Sequence, residues 1–171
     1  TIDGKASANI DLAALEQALP GLLPLREGAK LNSGRAAVEL VSISEGNQQR
    51  KILEIASETL QAQSHGKTFV IDPITLTATV SNREGRLQAE HFEWNSTFGS
   101  AIGSGNLEAG SADVKIDFGQ LTTILLPIFE MSDTRFAGNA QGRVAWKRGD
   151  RDVWRLTGNG QTTNFLIQLP G

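Results

Sequence analysis

From Ile74 to Val80 aliphatic residues alternate with threonines, so Ile74, Leu76, Ala78 and Val80 share one side of an extended chain. A period of two marks a β-strand with one dry and one wet face, and threonine is a good strand former on the wet one. The same period returns at Ala112, Val114, Ile116 and Phe118, with Asp113, Lys115 and Asp117 between them. Less regular strand candidates cover 35–44, 50–62, 86–95, 98–108, 140–147, 152–158 and 161–169. Turn signals separate them at Glu45-Gly46-Asn47, His65-Gly66, Asn82 to Gly85, Gly149-Asp150 and Gly158-Asn159-Gly160. Short connections of this kind favour antiparallel pairing over helical crossovers. The expected fold is mostly β: a curved antiparallel sheet, either an open trough or sandwich-like.

Two segments change period. Leu12, Leu15 and Leu19 stand three and four residues apart, as do Phe118, Leu121 and Leu125, which predicts short amphipathic helices over 11–19 and 117–126. Asp11 and Asp117 precede them as caps, and Pro20, Pro24 and Pro127 stop them. These six apolar residues are expected to dock the helices on the apolar face of the sheet. The helices also belong to an imperfect internal repeat, 4–44 and 110–147. Gly4, Ile10, Asp11, Leu15 and Leu19 recur as Gly110, Ile116, Asp117, Leu121 and Leu125, an offset of 106 (117 − 11). Gly34-Arg35 then matches Gly142-Arg143 at 108 (142 − 34). Stacked repeats complete each other's cores, so the chain 1–171 reads as a single β-rich piece of a larger protein.

Several functions find no footing. The net charge of -3 comes from acids and bases scattered along the chain, which argues against a nucleic-acid partner. Cysteine is absent and only His65 and His91 offer imidazoles. No His, Asp and Glu residues recur at metal-ligand spacing, so neither a metal nor another cofactor is expected. Gly66-Lys67-Thr68 lacks the upstream glycine of a phosphate loop, that position being Gln61, and it leads into a strand-like run instead of a helix. Arg148-Gly149-Asp150 reads as a hairpin tip between two strands, and Gly103-Ser104-Gly105 as a turn or bulge. Trp94, Trp146 and Trp154 read as structural, the last two facing each other across one hairpin. The chain is not expected to be an enzyme. A non-catalytic module remains, either a lipid-handling surface or an adhesion or glycan-binding β-domain.

The strand ending in Ile10-Asp11-Leu12-Ala13-Ala14-Leu15, the leucine and proline stretch after it, and Leu31-Asn32-Ser33-Gly34-Arg35 opening a new strand resemble the AsmA-like, TamB-type family. That family comprises bridge-like lipid-transfer proteins of Gram-negative bacteria. Ile116-Asp117-Phe118-Gly119-Gln120-Leu121 and Phe136-Ala137-Gly138-Asn139-Ala140-Gln141-Gly142 carry the likeness a second time. The resemblance implies a periplasmic section of a membrane-anchored parent protein, whose curved sheet forms a trough for phospholipid or another acyl-chain lipid. Lipid transport or outer-membrane biogenesis would be its role, with the remainder of the parent protein as its partner. Ile74, Leu76, Ala78, Val80, Ala112, Val114 and Ile116 are then the expected lipid-facing residues, or the core if the sheet is closed.

Overall fold

The computed structural model describes residues 2–45, 48–83, 86–130, 135–149 and 153–168. In chain order the elements are β1 (Ile2–Asp11), α1 (Leu12–Ala18), β2 (Ala29–Ser33), β3 (Arg35–Glu45), β4 (Gln48–Ser57), β5 (Leu60–Ser64) and β6 (Lys67–Ile71). There follow β7 (Thr75–Arg83), β8 (Arg86–Ser96), β9 (Gly99–Gly105), β10 (Ala109–Asp117), α2 (Phe118–Leu125), β11 (Arg135–Arg148) and β12 (Trp154–Gln168). The fold is mostly β, with two short helices. Nine strands form one antiparallel sheet in the order β1-β3-β4-β7-β8-β9-β10-β11-β12, and β2-β5-β6 form a second. The large sheet begins at β1 and ends at β12 without joining them, so it is not closed into a barrel.

Both helices start where they were expected, for a visible reason. The Asp11 carboxylate accepts the Ala14 N–H at 3.0 Å and the Asp117 carboxylate the Gln120 N–H at 2.9 Å, each satisfying one donor that a helix start leaves free. Asp117→Ala should therefore lower stability by about 1 kcal/mol, read as a shift in the urea midpoint; Asp117→Asn should restore most of it.

The helices dock only partly on the large sheet. Among the described residues one buried cluster joins Ala13 of α1, Leu31 of β2, Leu60 and Ala62 of β5, Ile71 of β6 and Ile128. Leu12, Ile124 and Leu125 pack against it. α1 thus leans on β2 of the small sheet, while α2 touches β6 of the small sheet but packs chiefly on β11 of the large one, and the two form a cap at the end of the large sheet where β1 and β10 finish. Leu15 and Leu121 are half-buried, and Leu19 is 55% exposed and outside the docking surface. Phe118 does meet the large sheet, 5.7 Å from Phe136 of β11 and 5.5 Å from Phe165 of β12. The small sheet supplies the main partner of α1 and part of that of α2, and β2 had shown no alternation to announce it.

Other boundaries move as well. The run 50–62 divides between β4 and β5, which lie in different sheets, and the described parts of the candidates 152–158 and 161–169 merge in the single strand β12, Trp154–Gln168. Gly103-Ser104-Gly105 lies within β9, opposite the register shift between Ala89 and Phe92 of β8, and Gly158-Asn159-Gly160 lies within β12; neither is a turn. His65-Gly66 does turn: both have positive φ, 49° and 78°, between paired Ser64 and Lys67, as a type I′ hairpin requires. The expected turns at Gly46-Asn47 and Gly85, Asp150 of the Arg148-Gly149-Asp150 tip, and the last strand-candidate residue, 169, lie outside the described residues.

The two copies of the repeated segment share one local form, strand, aspartate cap, helix and antiparallel return strand. Their second halves align differently from the sequence match. Arg35 pairs with Asp11 and Asn139 with Asp117, so Gly34 corresponds to Gly138, an offset of 104 (138 − 34). Both glycines have positive φ, 155° and 92°. The loops after the helices bridge each other antiparallel at Leu25 and Phe129, again 104 apart (129 − 25), so equivalent positions of the two copies meet in the cap.

Candidate functional site

Strand register defines rungs that cross the large sheet from edge to edge. One rung on the apolar face runs through Ala8, Val38, Ile55, Leu76 and Trp94. It continues through Ala101, Val114, Gly142 and Gly160. The next runs through Ala6, Leu40, Leu53, Ala78 and Phe92, then Gly103, Ala112, Val144 and Gly158. Neither contains a charged residue or a hydroxyl in any of its nine strands. The opposite face carries Lys5, Glu39, Glu54, Thr77, Glu93, Asp113, Lys115 and Arg143, with Lys5 paired to Glu39 at 2.7 Å.

The apolar face lacks a covering layer among the described residues. Of its two full rungs only Ala78 and Ala112 are buried; Leu76, Trp94 and Val114 remain half-exposed and Leu40 and Val144 are each 37% exposed. A sandwich core of the same residues would be dry. The chain's accessible surface, 11483 Å² for 18.3 kDa, also exceeds the ~8,100 Å² of a compact monomer of that mass. The sheet is open, and its buried core lies chiefly in the cap.

Curvature comes from the small residues in the middle. Phe92 on β8 and Trp146 on β11 have ring centroids 6.3 Å apart although β9 and β10 lie between them. The rings reach each other because Gly103, Gly105, Gly110 and Ala112 leave the floor beneath them low. The indole N–H of Trp146 donates to the Asn106 carbonyl at 2.9 Å. Between β10 and β12 lies a hollow of about 350 Å³, lined by Val114, Ile116, Ala140, Val144 and the glycines 142, 158 and 160 together with polar residues, Thr162 and Asn159 among them.

Every residue singled out in β7 and β10 falls on this face. Ile74 stands at its capped end and packs on the cap core; Val80 and Ile116 are half-buried. Sequence reasoning missed Val38, Leu40, Leu53, Ile55 and Phe92, whose strands alternate less cleanly. Trp146 and Trp154 are not direct partners, since they pair with Leu156 and Arg148 respectively; Trp146 is turned to Phe92. His91 pairs with Thr79 on the polar face, and Asp113 and Asp117 also lie there. Among the described residues no three His, Asp or Glu side chains converge closely enough to hold a metal ion. No family model matches this chain, and neither a curated protein nor a solved structure matches it.

Proposed function

We propose that this chain is a non-catalytic section of a cell-envelope protein that carries lipids along the apolar face of its large sheet. The observation that supports the reading is the pair of apolar rungs, unbroken across nine strands and half-exposed. Acyl chains fit such a surface because it asks nothing specific of them. Each methylene moved out of water gains about 0.8 kcal/mol, and a bilayer already provides that gain. Exchange between bilayer and sheet is then close to neutral, which suits passage better than tight capture. Eight strand spacings of ~4.8 Å give a path of about 38 Å, longer than the ~15 Å depth of one leaflet. Lipid transport or outer-membrane biogenesis in a periplasm, within a membrane-anchored parent protein, is the setting this activity fits.

A photo-crosslinking amino acid placed at Leu76 or Val114 should yield lipid adducts in cells producing the protein. The same group at Thr77 or Lys115, on the polar face of the same strands, should yield none. Adducts at all four positions, or at none, would overturn the reading.

A further inference from the structure

The two full rungs hold acyl chains without distinguishing one lipid from another. The next rung outward, away from the cap, does contain a recognising group. It runs through Gly4, Ser42, Lys51 and Val80, and Lys51 is its one charge. Lys51 lies between Ser42 of β3 and Val80 of β7, two residues along β4 from Leu53 on the same face. It is half-buried. A lysine in this position lays its methylenes on the apolar surface and extends its ammonium toward water.

The cations around it are differently placed. Lys5 is bound to Glu39, and Arg50, the preceding residue, turns to the polar face and meets Glu90 at 3.3 Å. Asp3, at the neighbouring β1–β3 pair, accepts a hydrogen bond from the Ser44 hydroxyl. With the described residues the Lys51 ammonium forms neither an ion pair nor a hydrogen bond. Arg148 also has an apolar-face register position, but it is already engaged by other groups and stands five strands away, about 24 Å.

We infer that Lys51 binds the phosphate of a lipid headgroup while the acyl chains of that lipid lie on the two apolar rungs, so that the surface prefers phosphate-bearing lipids to neutral ones. The inference rests on the lipid-carrying reading above. The ammonium donates up to three hydrogen bonds to phosphate oxygens. Placed at the rim, it gives selectivity without an enclosed pocket, and water competing at the rim keeps the interaction weak enough for release.

The test compares two fluorescent lipids with identical acyl chains, phosphatidylglycerol and diacylglycerol, bound to the purified chain. The wild type should bind phosphatidylglycerol about three- to tenfold more tightly. Lys51→Met, which keeps the aliphatic stem, should bring phosphatidylglycerol down to the diacylglycerol level and leave diacylglycerol unchanged. Lys51→Arg should retain the preference. Equal binding of both lipids by the wild type, or an undiminished preference in Lys51→Met, would overturn the role of Lys51 and leave the apolar surface intact. Binding of neither lipid would overturn both. Inorganic phosphate at the lipid's concentration should leave bound lipid in place; displacement would make Lys51 a free-anion site and overturn the lipid assignment.

Discussion

Ile128→Asp is expected to unfold the cap, whereas Leu76→Asp on the open sheet should leave the chain folded. Ile128 is 0% exposed and lies in the middle of the cluster that ties both helices to the small sheet. Its backbone is equally committed, with its N–H bonded to the Leu125 carbonyl at 3.0 Å and its carbonyl to the Arg26 N–H at 2.8 Å. Removing the side chain alone, as Ile128→Ala, should cost about 2–5 kcal/mol. An aspartate adds the desolvation of an unpaired charge, and the sum approaches the ~5–15 kcal/mol that holds a typical domain together. Leu76 is only partly buried, so a charge there can reach water and should cost about 1 kcal/mol. Urea unfolding followed by circular dichroism separates the two. A Leu76→Asp midpoint lowered as far as that of Ile128→Asp would mean that the apolar face is a closed core after all.

The contrast shows which parts of this fold a sequence can display. Alternation at Ile74–Val80 and Ala112–Ile116 is legible because those strands keep one dry and one wet face along their length. The same pattern fails for β2, where Leu31 is the one buried residue between exposed or half-exposed neighbours. It fails between β4 and β5 because Glu58-Thr59 carries no glycine or proline, although the chain there leaves one sheet for the other. Leucine spacing located both helices but not the small sheet against which α1 and the end of α2 pack. Amphipathicity records that a stripe is buried and is silent on what buries it. The repeat was legible through its aspartate caps and then slipped, since the lengths of the proline loops differ and Gly142 offered a closer sequence match than the structurally equivalent Gly138. For the candidate site, the dry residues of β7 and β10 were readable. The continuity of the rungs was not, because it depends on the register of eight strand pairs.

Glycine misled for a related reason: it marks a turn, and it also marks a place where something packs against the backbone. Gly110 is of the second kind. Its φ is not positive, so alanine there meets no backbone strain, and loss of unfolded-chain freedom would by itself stabilise the protein by about 0.4–1 kcal/mol. Space decides otherwise. A Cβ at Gly110 would stand 2.2 Å from Cζ2 of Trp146 and 2.7 Å from the Ser104 carbonyl oxygen. The indole must move, and moving it endangers both its contact with Phe92 and its hydrogen bond to Asn106. Crowding of this kind costs about 1–3 kcal/mol, the ring pair about 0.5–1.5 and the hydrogen bond about 0.5–1.5. These exceed the entropic gain, so Gly110→Ala should be destabilising by about 2 kcal/mol, with tryptophan emission shifted to the red as Trp146 enters water. In a Trp146→Ala background the same change should cost less, because the ring it collides with is gone and only the approach to the Ser104 carbonyl remains. A neutral Gly110→Ala with unmoved emission would show that the rings do not meet across β9 and β10, and with that contact would go the main support for curvature in the middle of the sheet.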